Sequence, residues 1–443
     1  MSGIVEIEVT DVSVEGWGIG RHEGKVVFIE QALPGDRVLA RITESRRGFD
    51  RAEVHHILAE SKDRRIPACE IQGRCGGCPL MPLNEEAALR IKVRHLEEVL
   101  RRVGRLDLAV HRVIRSPQDL AYRNRVRFAL ESTESGVRIG FRRRGEARHF
   151  VEVSRCRLLP ERGTRLARDL ASRLPRAARV DALTVRHARE GRCWLLVLHG
   201  AASPCAALSR AASSFLGAHE DVIGVTHHEE RAREVVEATV LAGRGVIEER
   251  IGSISVPVSS SVFLQVNTKA AERLYGEVRS MIAGEEAPKT VLDLYCGLGM
   301  IGLFCCAPQT SVLGVESHLE SVEIGRAMIR AQARRGFELV AAKAADFVEE
   351  VIGEQRPADS DRRFDVIVMN PPRAGAGRAL VEKIVRLSPR RIVMVSCHDA
   401  AMARDLQVLA EHGYDVTRMS AVDLFPQTTH LEIVALVEPQ QTR

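Results

Sequence analysis

Cys397 lies in Ser396-Cys397-His398-Asp399, directly after an apolar, strand-like run over 391–396. A free thiol ionises near pH ~8.5, so a cysteine becomes a nucleophile at neutral pH only when its surroundings favour the thiolate. Cysteine is often a buried, inert residue, but the end of a strand aims Cys397 at a cleft, with an imidazole next to it. A second group, Glu432, belongs to Phe425-Pro-Gln-Thr-Thr-His-Leu-Glu432, where His430 and Glu432 are two residues apart and share one face of the last strand. A carboxylate there can take a proton. A third, Asn370, opens Asn370-Pro-Pro-Arg-Ala-Gly375 after another apolar run. Proline fixes its own φ and restrains the residue before it, so this carboxamide is held rigidly.

Thiols also cluster near the start of the chain, in Cys69-x5-Cys75-Gly-Gly-Cys78-Pro79. Two glycines and a proline force a tight loop that brings three thiols together, and such a set needs a fourth ligand. Cys156 is the best candidate, because the remaining cysteines fall in apolar runs or in a glycine loop; Cys193 and Cys205 read as core. Four thiolates suit a structural zinc or a [4Fe-4S] cluster, and spacing does not choose between them. Either would staple a domain by closing the loop from Cys78 to Cys156.

The elements that must position these groups follow from periodicity. The apolar run 291–294 breaks into Tyr295-Cys-Gly297-Leu-Gly299 and resumes as a helix, the pattern of strand, tight turn and helix. Gly297, Gly299 and Gly302 spell G-x-G-x-x-G, with Glu316 at the distance expected of a ribose-binding acid. By itself the motif does not separate nicotinamide from adenosylmethionine. Later strands are expected at 311–315, 338–342, 364–369, 391–396 and 431–437, alternating with helices, as in a doubly wound sheet. Ligands of such sheets gather at the carboxyl ends of strands, and these runs end in Glu316, Asp346 shortly after its strand, Asn370 and Cys397. Upstream, Gln265 and Asn267 precede an amphipathic helix at 268–283, and either share a strand face or cap that helix.

Residues 4–58 show short alternating runs separated by Gly16-Trp-Gly-Ile-Gly20 and Pro34-Gly35, which suggests a small β-barrel. Residues 84–102 form an amphipathic helix with Leu89, Val93, Leu96 and Leu100 on one stripe and Asn84 as N-cap. Then Ala121-Tyr-Arg-Asn-Arg-Val-Arg-Phe128 and Gly140-Phe-Arg-Arg-Arg144 interleave arginines with aromatics. Arginines can grip phosphates while Tyr122, Phe128 or Phe141 offers a stacking face, as single-stranded RNA recognition requires. The net charge of the whole chain is only +5, but 101–150 hold 13 Arg against 5 Asp/Glu, whereas 1–60 hold 7 Lys/Arg against 11 Asp/Glu. With 45% hydrophobic and 28% charged residues in 443, the chain is globular and long enough for two or three domains. No apolar run approaches the ~18 residues of a membrane span, and a start bearing Glu6 and Glu8 is not a signal peptide. A cytoplasmic protein with reduced cysteines is expected.

Taken together, the motifs carry a resemblance. Phe263-Leu-Gln-Val-Asn267, residues 291–299, Asn370-Pro-Pro-Arg-Ala-Gly375, Ser396-Cys397 with Ala403-Arg-Asp-Leu406, and Phe425-Pro-Gln-Thr-x-His-x-Glu432 resemble the RNA uridine-5-methyltransferases. Residues 8–58 resemble a TRAM domain, an OB-like barrel. The order of that barrel, the cysteine cluster and the catalytic half resembles the iron-sulfur branch that methylates 23S ribosomal RNA. The resemblance implies a multidomain α/β protein: a TRAM barrel over 1–60, a central α+β iron-sulfur and RNA-binding domain over 61–250 from which helix 84–102 packs on the catalytic domain, and a Rossmann-like methyltransferase domain over 251–443. It further implies Cys397 as the nucleophile that adds to uracil C6 and Glu432 as the base that removes the C5 proton. S-adenosylmethionine would meet Gln265, Tyr295, Gly297, Glu316, Asp346 and Asn370, and Cys69, Cys75, Cys78 and Cys156 would hold a [4Fe-4S] cluster. The partner implied is RNA presenting a flipped uridine, with no membrane and no protein partner, for a monomer.

The chain departs from the family pattern at three places: Asn370 stands where Asp is frequent, Met394 where Tyr is usual, and His398-Asp399-Ala400-Ala401 where Asn-Pro with a Thr two residues on is common. The Asn-Pro-Pro turn is also used by amino-methylating enzymes, so an amino-group methyltransferase is a second reading. A transfer RNA uridine methyltransferase and a catalytically inactive RNA-binding protein are others.

Overall fold

In the computed structural model, described for residues 3–134, 136–143, 146–175, 179–190, 192–231, 234–354 and 364–440, strands β1 (Ile4–Val12), β2 (Gly18–His22), β3 (Lys25–Glu30), β4 (Arg37–Ser45) and β5 (Phe49–Ala59) close into a barrel of order β1-β2-β3-β5-β4. Alternation drives it: Ile7, Val9, Val27, Ile29, Val38, Ala40 and Ala52 point inward and pack as one core. The glycine-rich stretch 16–20, expected as a separator, contributes a strand instead. A side chain at Gly20 would reach within 2.3 Å of Ile7, and one at Gly18 within 2.8 Å of Ala32, so these small residues let the barrel close. Asp36, fully buried, accepts from the Leu33 and Ser61 amides (2.7 and 2.9 Å) and from Arg64, which ties the barrel to the segment that follows.

Helix α1 (Glu85–Arg102) begins where expected. The Asn84 Oδ1 accepts the Ala87 N–H at 2.8 Å, with Glu85 and Glu86 in the first turn and Arg101 and Arg102 in the last, both complementary to the helix dipole. After the short strand β6 (Arg112–Ile114) comes a seven-stranded sheet of order β13-β12-β11-β10-β7-β8-β9. It is built from β7 (Arg125–Thr133), β8 (Gly136–Arg143), β9 (Glu146–Glu152), β10 (Ala182–Ala188), β11 (Cys193–Gly200), β12 (Val222–Arg231) and β13 (Glu234–Gly243), with α2 (Glu161–Arg173) and α3 (Ala206–Gly217) packed against it.

Two expectations change here. Period-two alternation turns Val126, Phe128 and Leu130 toward α2 and α3, so Phe128 is fully buried and stacks on half-buried Phe141 at 5.2 Å. Tyr122 is also fully buried and donates its hydroxyl to the Pro426 carbonyl at 3.0 Å. Neither Tyr122 nor Phe128 can stack on a base; Arg125 and Arg127 remain on the opposite face, and Arg144 lies outside the described residues. Cys205, expected in the core, is exposed at the N-cap of α3, and Cys193 is half-buried at the start of its strand.

A hairpin of β14 (Val246–Ile251) and β15 (Ile254–Ser259) leads to α4 (Thr268–Ala283). Asn267 caps this helix, accepting from the Ala270 N–H at 3.2 Å while its amide donates to Ser116 and the Leu424 carbonyl. The capping alternative holds for Asn267, since no strand spans 260–267. There follow β16 (Thr290–Leu294), α5 (Met300–Cys305), β17 (Ser311–Glu316), α6 (Leu319–Ala331), β18 (Phe337–Ala341), α7 (Ala344–Glu354), β19 (Val366–Met369), α8 (Arg378–Arg386), β20 (Arg391–Ser396), α9 (Asp399–Glu411), β21 (Tyr414–Val422) and β22 (Glu432–Pro439). They form an eight-stranded sheet of order β18-β17-β16-β19-β20-β22-β21-β6, parallel from β18 to β20. The chain runs outward from β16 through β17 and β18, then returns to β19 on the other side, so the crevice between β16 and β19 is the switch point where such sheets bind ligands.

The edge strand β6 was not foreseen in the sequence. It joins β21 in parallel, and the buried carboxylate of Glu277 on α4 explains why: it accepts from Arg112 of β6 and from Arg418 and Ser420 of β21 (2.9, 2.5 and 2.8 Å).

Two compact units result. One comprises 1–92, 118–247 and 425–430; the other comprises 93–117, 248–424 and 431–443. Among the described residues no helix is long and apolar enough to cross a membrane.

Candidate active site

The second unit carries Cys397, Glu432 and all six residues expected around the cofactor. At the end of β16 the backbone turns through Tyr295 (φ 61°), Gly297 (φ 56°) and Gly299 (φ 76°), three left-handed residues that reverse the chain into α5. The glycines do different work. A Cβ on Gly299 or Gly302 would strike the Phe337 ring at 2.9 or 2.3 Å, so these two serve helix-to-strand packing. Gly297 meets nothing within 4 Å; it alone leaves open space for a ligand to approach the backbone. Glu316, at the end of β17, accepts from the Gly297 and His318 amides (3.1 and 2.8 Å), which pins the loop. Asp346 is exposed in the first turn of α7, beyond the end of β18, and Gln265 is buried ahead of α4. Asn370 follows β19, its N–H donating to the Leu294 carbonyl at 3.3 Å across the switch point.

Asp293, inside β16, is fully buried, and loss of water pushes its carboxyl up to about 8. The Gly302 amide offsets part of this without a bond of good geometry, and neither carboxyl oxygen has a partner among the described residues.

Cys397 and Glu432 come together through the sheet. β20 and β22 are antiparallel neighbours with Ser396 opposite Ile433, so the next step places Cys397 beside Glu432. Glu432 is 2% exposed; burial raises its carboxyl to about 8, and its Oε2 has no partner among the described residues. Cys397 is half-buried. Burial and then the Glu432 charge raise its thiol, while the Arg373 guanidinium lowers it by its charge and by a hydrogen bond. Arg373 was missed as a site residue although Asn370-Pro-Pro-Arg373 was in view; only the approach of β19 to β20 brings it to the thiol. The imidazole expected to tune Cys397 is used elsewhere: the His398 Nδ1 accepts the Ala401 N–H at 3.2 Å and caps α9.

A further residue sequence reading passed over holds the Asn370 turn in place. Buried Asp405, on α9, accepts the Ala376 and Gly377 amides at 2.7 and 3.0 Å, and a Cβ on Gly375 (φ 89°) would lie 2.8 Å from its carboxylate. The turn bearing Asn370 and Arg373 is therefore clamped to the helix that follows Cys397.

In the first unit, Cys69, Cys78 and Cys156 pack against Tyr122, Met81 and Leu158, and Cys69, Cys75 and Cys156 against the main core. The charges of Cys156, Cys75 and Cys69 all reach Cys78 and, with its burial, push its thiol far above the ordinary range. Two of these thiols, Cys78 and Cys156, are raised by burial and by neighbouring thiols, and four cysteines packed into one pocket fit a metal centre, since a bound ion displaces thiol protons. A second group of ligand-type side chains, His199, His228 and Glu230, does not have this character. Arg127 already forks Glu230 with two bonds of 2.8 Å, and Glu230 holds the His199 Nδ1 at 2.7 Å.

A doubly wound sheet with a glycine loop at its switch point and a thiol and carboxyl at adjacent strand ends fits the methyltransferase class. The profile of the tRNA (Uracil-5-)-methyltransferase family matches residues 246–440, and that of the TRAM domain matches 3–55. Similar proteins include an uncharacterized RNA methyltransferase of Thermosynechococcus vestitus, 30% identical over 98% of this chain and 97% of the relative, and one of Nitratidesulfovibrio vulgaris, 32% identical over 99% and 96%. The chain belongs to the RNA uridine-5-methyltransferase family. It is an S-adenosylmethionine-dependent RNA methyltransferase. Its fold is shared with the Pyrococcus abyssi tRNA (uracil-54, C5)-methyltransferase in complex with S-adenosyl-L-homocysteine, at a TM-score of 0.73 and 22% identity over 99% of this chain and 100% of that one.

Proposed function

We propose that this enzyme methylates C5 of a uridine, in 23S ribosomal RNA, through a covalent adduct with Cys397. The observation that carries the reading is the pairing of β20 with β22, which sets a thiol with a guanidinium donor beside a buried carboxyl. S-adenosylmethionine, when bound, supplies an electrophilic methyl group. Uracil C5 is a poor nucleophile until Cys397, as the thiolate favoured by Arg373, adds to C6 and leaves the electron pair as an enolate at C5. That enolate carbon would take the methyl group the bound donor supplies, with the donor's sulfur keeping the bonding pair. Glu432 removes the C5 proton, and the returning electron pair expels Cys397. A carboxyl near pH 8 is well matched to such a base, because it is ready to release and accept a proton at the working pH.

Gln265, Tyr295, Gly297, Glu316, Asp346 and Asn370 would hold the methyl donor along the strand ends, and Phe263, 63% exposed, offers a face to an unstacked base. We assign the barrel over 1–60 and the central region over 61–250 to RNA, and 251–443 to catalysis. Cys69, Cys75, Cys78 and Cys156 would hold a [4Fe-4S] cluster in a structural role, joining the loop at 69–78 to the segment at 156.

The test uses 23S and transfer RNA transcripts tritiated at uridine C5, with wild type and Cys397→Ala. Donor-dependent release of label from 23S RNA, lost in the variant, supports the reading, and release from transfer RNA alone reassigns the substrate. Methyl transfer that survives in Cys397→Ala, with no tritium release, sinks the uridine mechanism in favour of an amino-group acceptor.

A further inference from the structure

Building on the cluster reading above, we propose that half-buried Arg123 is the counter-cation and, through its shielded Nε, the N–H donor of the four-cysteine site, and that it governs how firmly the cluster is held and how readily it is reduced.

Its placement is determined by the backbone on both sides. The Ala121 and Arg123 amides donate to the Arg157 and Leu158 carbonyls at 2.8 and 2.9 Å, strapping residues 121–123 alongside the chain that leaves Cys156. Between them, Tyr122 packs against Cys69, Cys78 and Cys156 and is anchored through its hydroxyl to Pro426. The side chain that follows is thus delivered to the same pocket. The Arg123 Cζ lies 5.8 Å from the Tyr122 ring centroid, and its charge reaches both Cys78 and Cys156. Its Nε is shielded from solvent and has no hydrogen-bond partner among the described residues.

A guanidinium N–H shielded from water and left without an acceptor is costly unless an anion sits beside it. Four thiolates carry more negative charge than an iron-sulfur core carries positive, so the loaded site is such an anion. Cluster potentials respond to net charge and to hydrogen bonds on the sulfurs, and a guanidinium supplies both in one group. A lysine keeps the charge but not the Nε donor.

Full-length wild type, Arg123→Lys and Arg123→Gln, purified without oxygen, are compared for iron and acid-labile sulfide, for release of iron to a chelator, and for midpoint potential in a dithionite titration followed by electron spin resonance. Wild type is expected to carry equal iron and sulfide. Arg123→Gln should release iron about tenfold faster or more and shift the potential downward. Arg123→Lys should release iron faster than wild type with a smaller shift, and carries the test should the glutamine variant not fold. Wild-type release and potential in both variants, with the cluster present, overturn the role of Arg123 and leave the cluster reading standing. Wild-type protein without iron and sulfide overturns the cluster reading, and the inference with it.

Discussion

Cys78 and Cys397 are both lifted above the ordinary thiol range by burial, yet what opposes the lift differs. Around Cys78 the nearby charges include three more thiols, each of which makes ionisation harder, and only Arg123 counters them. Cys397 has one acidic neighbour, Glu432, and a dedicated partner in Arg373 that favours the thiolate by charge and hydrogen bond. It is also half-exposed at a strand end. The proposed roles of ligand and nucleophile thus follow from whether the neighbours of one residue type are more thiols or a cation.

The comparison can be broken most sharply at the sulfurs themselves. Cys397→Ala is expected to lower methyl transfer about 10⁴-fold or more without moving the thermal midpoint, whereas Cys78→Ala should lose bound metal and lower the midpoint by several degrees. Calorimetry beside a transfer assay checks both, and a midpoint that fails to move in Cys78→Ala would remove the structural role of the cluster.

Glu432→Gln should slow turnover by about 10²–10⁴-fold and let a methylated RNA adduct accumulate, visible as a denaturant-resistant band. The same variant reports on burial. The Glu432 carboxyl is raised from 4.5 to about 8 in the folded protein. Its contribution to stability is therefore fully present below 4.5 and lost as pH rises to about 8. Relative to wild type, Glu432→Gln gains up to about 1.4 kcal/mol per pH unit across that window and nothing further above it. Urea unfolding at several pH values tests this, and a difference independent of pH would contradict the burial argument.

Arg373→Gln should raise the Cys397 thiol further and slow its alkylation by iodoacetamide about tenfold near pH 8, with the cluster thiols unaffected. Equal alkylation rates would leave Cys397 without its proposed activator. The smallest effect is expected at Cys205, which is exposed: Cys205→Ser should change stability by no more than about 0.5 kcal/mol.

Much of the fold was legible because its signals are local. Asn84 and Asn267 sit just ahead of amphipathic runs and cap them through bonds to residues three positions on. The apolar runs before Gly297, Glu316, Asn370 and Cys397 could be placed as strands for the same reason. What failed depends on contacts between distant segments. A glycine-rich stretch became a strand because the barrel needed small residues against Ile7 and Ala32. Phe128 left the surface expected to face RNA because helices cover that side of the sheet, and Tyr122 left it because it packs among Met81, Leu158 and the cysteines. His398 went to a helix cap and Arg373 took its expected place beside the thiol.

The sequence by itself therefore determined which groups can react and on which element each sits, since periodicity, capping and turn chemistry are read within a few residues. Tertiary structure decided their ionisation. The carboxyl at 432 acquires its protonation from burial, and the thiol at 397 from burial, from that carboxyl and from Arg373, only after β20 and β22 pair, because the cost of charge depends on the water removed and the neighbours gained.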